Sequence, residues 1–245
     1  MFDRSHQDRI AVVTGAGRGI GQAVCCALAE RGARVVAVDR DEPDETVALL
    51  EDAGRPVTGL CADVSEPEQT EEVGEYVQAS FGRCDILVNN AGLDSLIDSG
   101  ELQYATWRRV LAVNLDSQFL MVKALLPLMK SQCWGRIVSL TSNSVGSTMP
   151  GLTHHMASKL GGIGFTRALA NEVAGFGVTV NAVGPRLSRI PGVVSAMGPE
   201  LLDQVAQLQA IKHIGDTGDV VGTMLFLTSE EAAFVTGQTF MTDGG

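Results

Sequence analysis

The stretch Thr14-Gly15-Ala16-Gly17-Arg18-Gly19-Ile20-Gly21 decides how the rest of this chain is read. It follows the β-branched apolar run Ile10 to Thr14 and opens a helical pattern, Ile20 to Glu30. Glycines at a strand-to-helix turn let the backbone bend sharply and approach a pyrophosphate. The N–H groups and positive dipole end of the helix then stabilise the phosphate charge. A glycine-rich string also serves ordinary turns, so its placement between strand and helix carries the argument.

The same alternation continues outward from this turn. Apolar runs recur at Arg34 to Asp39, Val57 to Ala62, Ile86 to Asn89, Arg136 to Leu140, Val178 to Ala182 and Thr239 to Thr242. Helical patterns separate them: Glu45 to Asp52, Pro67 to Ser80, Tyr104 to Lys130 with a break near Asn114, His154 to Ala174, and Thr217 to Leu227. Strands alternating with helices predict βαβ units and a parallel sheet. The expected fold is α/β, a doubly wound Rossmann-type seven-stranded parallel sheet in a single domain spanning residues 1–245. In such a sheet the ligand crevice lies beyond the carboxyl ends of the strands, where strand order reverses. The region 184–216, with Pro185, Pro191 and Pro199, breaks the rhythm and reads as a substrate lid, because loops of that length are usually functional or disordered.

Composition narrows the function. A formal net charge of −11 argues against a nucleic-acid backbone binder, which needs a basic face. Arg18, Arg40, Arg186 and Arg189 still allow a local basic pocket. The five cysteines are odd in number and lack CxxC spacing, so they read as small buried residues of a reducing compartment. No signal-peptide pattern and no run of about 20 apolar residues is found, so the expected location is the cytoplasm and no membrane is expected as a partner.

The spacing of Gly15, Gly19 and Gly21 is TGxxxGxG, and here the chain resembles the short-chain dehydrogenase/reductase family. Asp63-Val64 resembles the family's adenine-contacting pair, Asn89-Asn90-Ala91-Gly92 its NNAG motif, and Asn114 its helix-interrupting asparagine. The resemblance implies a nicotinamide cofactor held by Gly15, Arg18, Gly19, Ile20, Gly21, Asp39, Asp63, Val64, Asn90, Ala91, Gly92, Lys159 and Pro185. Asp39 ends the second strand, where an acid hydrogen-bonds the adenosine ribose and repels a 2′-phosphate. NAD is therefore expected, with NADP left open by Arg18 and Arg40, either of which can fork onto that phosphate.

Hydride transfer to a carbonyl develops negative charge on oxygen, which calls for a proton donor and a hydrogen-bond partner. The family uses serine, tyrosine and lysine. Ser142 stands at the serine position, with Ser139 and Ser144 as competitors, and Lys159 at the lysine position. Four residues before Lys159, and thirteen after Ser142, stands His155 where the tyrosine belongs. Positions four apart share a helical face. The resemblance thus implies a catalytic set of Ser142, His155, Lys159 and Asn114, with the lysine's charge lowering the imidazole pKa. His154 is expected to face solvent.

Three functions follow. Histidine is the acid/base of an alcohol/ketone couple; or the substrate is a cyclic iminium that needs hydride alone, with Asp94 favouring its charge; or the domain is a catalytically weak nucleotide-binding or partner-binding module. A second departure is Arg186, which replaces a glycine after Pro185, so that the nicotinamide-binding threonine position falls at Ile190, with Ser188 as a substitute; Arg186 and Arg189 could meet a carboxylate substrate. The family also implies a homo-oligomer, tetramer or dimer, through the helices near Ser117 to Lys130 and His154 to Ala174 and the last strand, with Gly161, Gly162 and Gly164 permitting close approach.

Overall fold

The computed structural model describes residues 5–147, 149–186, 204, 206, 207 and 209–245. Most of the expected lid, with Ser188, Arg189 and Ile190, lies outside the described residues. The strands are β1 (Ile10–Thr14), β2 (Arg34–Asp39), β3 (Val57–Cys61), β4 (Ile86–Asn89), β5 (Gly135–Leu140), β6 (Val178–Pro185) and β7 (Thr239–Thr242). They form one parallel sheet in the order β3-β2-β1-β4-β5-β6-β7. Strand order reverses between β1 and β4, and the glycine turn and the NNAG segment follow those two strands.

Alternate residues of each strand enter opposite cores, as the two-residue period of a strand requires. Val12, Val36, Leu87 and Ile137 pack on one face against α3 (Pro67–Phe81), α5 (Ser117–Ser131) and α6 (Thr153–Val173). Ala11, Val13, Val35, Val88 and Val138 pack on the other face against α1 (Gly19–Glu30), α2 (Asp44–Asp52) and α7 (Thr217–Leu227). Burial on both faces explains the near-continuous apolar runs.

α4 (Tyr104–Leu111) leads into α5 through a π-helical turn, Ala112–Asp116. The break expected near Asn114 is this turn, a widening of a continuous helix, and such turns often mark functional sites. The stretch Tyr104–Ser131 is long and apolar enough to cross a membrane by composition alone. Here its apolar side, with Met121, Leu125 and Met129 fully buried, packs into the core beside α3 and β4.

Candidate active site

The glycine turn is tied to the NNAG segment. Thr14 Oγ1 accepts the N–H groups of Asn90 and Ala91 at 3.0 and 3.1 Å. Asn90 Nδ2 donates to the carbonyls of Thr14 and Gly15, both at 2.9 Å. Gly15 has φ +63°, and a Cβ there would lie 2.8 Å from Ala91 Cα. At Gly21 a Cβ would collide with the Gly15 carbonyl. Only glycine permits the loop to fold back onto the first turn of α1. That helix start carries no side-chain cap and no acid in its first turn, so its backbone N–H groups and positive dipole end suit an anion. These features fit a dinucleotide's diphosphate.

Around this cradle, Arg18 is exposed and Ile20 is half-buried against the α1 core. Asp39 Oδ2 accepts the Gly17 N–H at 2.8 Å and Oδ1 accepts the Arg40 N–H at 2.8 Å, so the carboxylate is fixed at the edge of the turn. The Arg40 guanidinium pairs with Asp41 at 3.1 Å, which competes with any phosphate. Asp63 is gripped by Arg109 at 2.7 Å and by the Ser65 hydroxyl at 2.6 Å. Burial alone would raise the Asp63 pKa, but the hydrogen bonds from Ser65 and Arg109 outweigh it and hold the carboxyl below its usual value. Val64 buries its side chain in the core. Pro185 is half-buried at the end of β6, where it pairs in register with Thr242 of β7.

Ser142, two residues past the end of β5, accepts from Ser144 twice, from the N–H at 3.2 Å and the hydroxyl at 2.9 Å. Ser139 is buried in β5, where it accepts from Asn89 Nδ2 at 3.2 Å, and is occupied structurally. On α6, His155 and Lys159 are both buried and one turn apart. Lys159 Nζ donates to the Leu140 carbonyl at 3.0 Å, and burial lowers its pKa to about 8 while Asp94 acts to raise it. A Cβ on Gly92 would lie 3.5 Å from Lys159 Nζ and 3.5 Å from Asn114 Oδ1, so the end of the NNAG segment sits over both. Asn114 Oδ1 accepts the Leu93 N–H at 2.7 Å, while its Nδ2 donates to the Leu93 carbonyl at 3.0 Å and to Ser158 Oγ at 3.1 Å.

His155 Nδ1 lies 3.3 Å from Asp94 Oδ1 without hydrogen-bond alignment. Its pKa is lowered, chiefly by burial and further by Lys159 and His154, against the opposing pull of Asp94 and the Leu93 carbonyl. The direction agrees with the expectation from Lys159, but burial is the larger cause. His154 corrects another expectation: it is fully buried, with Nε2 2.9 Å from Ser95 Oγ. The helix start is covered by the 93–95 loop, so neither histidine faces solvent. Gly161 and Gly162 approach Leu115 and Gln118 of the same chain, which gives them an internal packing role, whereas Gly164 meets open space.

Sequence reasoning missed Arg109, Ser95 and the placement of Asp94 against His155. Each is a contact between residues more than forty positions apart, with no local pattern to announce it. Tyrosine offers no substitute for His155 here: Tyr76 Oη donates to Thr58 at 3.4 Å, and Tyr104 is exposed at the start of α4.

A family profile described as enoyl-(acyl carrier protein) reductase matches residues 15–245. The chain is 36% identical over 243 residues to 3-oxoacyl-(acyl-carrier-protein) reductase FabG of Escherichia coli strain K12, covering 98% of this chain and 97% of that protein. Among solved structures, one described as a short-chain dehydrogenase/reductase from Burkholderia xenovorans superposes with a TM-score of 0.92 at 38% identity, covering 98% of this chain and 97% of the other. One described as an NAD(P)-dependent gluconate 5-dehydrogenase from Beutenbergia cavernae, with bound NADP, has a TM-score of 0.93 at 34% identity, covering 98% and 96%.

Proposed function

The chain belongs to the short-chain dehydrogenase/reductase family, and from that premise we propose that it is an NAD(P)-dependent reductase of carbonyl substrates in which His155 does the proton work of the family's tyrosine. The observation that carries this reading is the buried pair on one turn of α6, Lys159 against Gly92 at the end of the NNAG segment and His155 beside Asp94. The similarity to a 3-oxoacyl reductase favours a 3-oxoacyl thioester or a related small ketone as substrate.

A bound nicotinamide supplies or takes the hydride. Gly15, Arg18, Gly19, Ile20 and Gly21 would hold its diphosphate, Asp39 its adenosine ribose, Asp63 and Val64 its adenine, and Asn90, Ala91, Gly92 and Pro185 its nicotinamide half. Lys159 would bind the second ribose with the ammonium that donates to the Leu140 carbonyl. Ser142 accepts two hydrogen bonds from Ser144, which leaves its own proton to donate to the substrate oxygen. His155 gives that oxygen a proton during reduction and removes it during oxidation. Asn114 fixes the Leu93 backbone above the histidine.

The iminium alternative leans on Asp94 as a partner for a cationic substrate. Its carboxylate stands beside the His155 ring, which favours the carbonyl reading. Exposed Phe119 on α5, Leu160 on α6 and Met241 on β7 support a homo-oligomer, dimer or tetramer, through those elements.

The test is oxidation of NADH and NADPH with 3-oxoacyl thioesters, ketones and cyclic imines. Carbonyl turnover is expected, with His155→Ala reducing kcat by about 100-fold or more and His155→Tyr sustaining it. Tight cofactor binding with no turnover of any substrate overturns the enzyme reading in favour of a binding module; turnover of imines alone overturns the carbonyl reading.

A further inference from the structure

The segment 93–95 is held at both ends against the site. Asn114 binds both backbone groups of Leu93, at 2.7 and 3.0 Å. Two residues on, Ser95 Oγ is 2.9 Å from the Nε2 of buried His154. Asp94 lies between these anchors, so its backbone is fixed although its side chain is 64% exposed. From there the carboxylate reaches within 3.3 Å of His155 Nδ1, an atom that is buried and has no hydrogen-bond partner. A buried imidazole nitrogen without a partner is costly, and a carboxylate already placed beside it needs only a small rotation to accept its proton.

We propose that Asp94 is a positioning residue: it takes a hydrogen bond from His155 Nδ1, fixes that tautomer, and leaves Nε2 to exchange the proton with the substrate oxygen. This inference rests on the reading of His155 as the acid/base group. During reduction the imidazolium gives its Nε2 proton to the oxygen and returns to the neutral ring, with Nδ1–H still directed at Asp94. Few titratable groups face the ring. Asp94 does so from the 93–95 loop, Lys159 from the next turn of α6, and His154 from the adjacent position, and of these three only Asp94 stabilises the protonated ring. A phenol needs no such partner, because it has a single oxygen and no tautomer to choose.

The consequence is a pH effect of defined sign. Removing the Asp94 charge lowers the histidine pKa, so less of the ring is protonated at neutral pH and the falling limb of the reduction profile moves to lower pH. Asp94→Asn should lower kcat for reduction by about tenfold above that limb, with cofactor KM unchanged. Asp94→Glu should restore most of the loss. In a His155→Tyr background, Asp94→Asn should shift the pH profile much less, because only the pull of Asp94 on Lys159 remains.

A readout independent of turnover is the 15N spectrum of labelled histidine in the full chain. There are four histidines, and the signal missing in His155→Tyr identifies the one of interest. Its midpoint should fall in Asp94→Asn, and its neutral form should change from predominantly Nδ1–H. An unchanged midpoint and tautomer in Asp94→Asn overturns the proposal, as does a kinetic shift of equal size without His155. If His155→Ala itself leaves turnover unchanged, the reading of His155 as acid/base has failed; if His155→Ala is inactive while Asp94→Asn matches the parent protein, the dyad alone has failed.

Discussion

The two ends of the sheet treat buried charge in opposite ways. At the amino ends of the strands, Asp85 is fully buried and receives Arg9 at 3.1 Å, Arg83, and the Ile10 N–H at 2.9 Å. Trp134 lies between the guanidiniums of Arg9 and Arg136, at 3.6 and 4.3 Å, and both arginines reach Glu230. At the carboxyl ends, buried Lys159 has the Leu140 carbonyl as its hydrogen-bond partner, with no carboxylate at ion-pair distance among the described residues. Buried ions are normally paired because desolvation costs several kcal/mol. A paired cluster serves the fold; a buried ammonium held without a carboxylate is the arrangement expected of a group that meets a ligand, which is the role proposed for Lys159.

The largest expected effect breaks the paired end. Asp85→Ala takes from Arg9 and Arg83 their shared acid, though Arg9 keeps Glu230, and leaves the Ile10 N–H without an acceptor, and should cost about 2–3 kcal/mol of unfolding free energy. Denaturant unfolding measures the loss, and turnover per folded molecule should be unchanged. A loss below about 1 kcal/mol would mean that the cluster is not what holds this end together.

Lys159→Met tests the other end and has the opposite sign. The folded pKa of about 8 lies below the usual 10.5, so between these values the unfolded chain holds a proton that the folded chain has released. Stability of the parent protein, without cofactor, therefore rises as pH rises from about 8 to 10.5, and the full penalty is present below 8. Methionine removes that penalty and the hydrogen bond to Leu140, for a net gain of about 1–3 kcal/mol at pH 7 that fades above pH 10. Comparison of melting curves across that range checks the sign, and a variant less stable than the parent at pH 7 would place Lys159 with the structural charges. Turnover should be lost.

How far these ends were legible in the sequence follows the range of the contacts. The strands lie within a residue or two of their expected limits, because each carries its own apolar run. β6 instead continues past Ala182 to Pro185, since Val183, Gly184 and Pro185 pair with Phe240, Met241 and Thr242 of β7, a partner nearly sixty residues away. The glycine turn was visible by its place between strand and helix, and NNAG, Asn114, Ser142 and Lys159 by their resemblance to the family's motifs. Asp94 beside His155, Arg109 on Asp63 and the burial of His154 were not, because they depend on how a loop closes over a helix. Asp85 was likewise invisible as a core residue: its value comes from Arg9 and Arg83, and only the folded chain brings both to it.

The smallest effect sharpens the contrast from within the paired end. Arg83 is 44% exposed, whereas Asp85 is fully buried. Removing Arg83 leaves the acid with Arg9 and the Ile10 N–H, so no buried charge is stranded. Arg83→Ala should therefore cost about 1 kcal/mol, a fraction of the loss in Asp85→Ala. The asymmetry is the informative quantity: the acid is shared by several donors, so any single donor can be spared while the acceptor cannot. Equal losses in the two variants, measured by denaturant unfolding, would show that Arg83 and Asp85 act as an isolated pair, and the contrast between a redundant network at one end and a single-partner lysine at the other would fall.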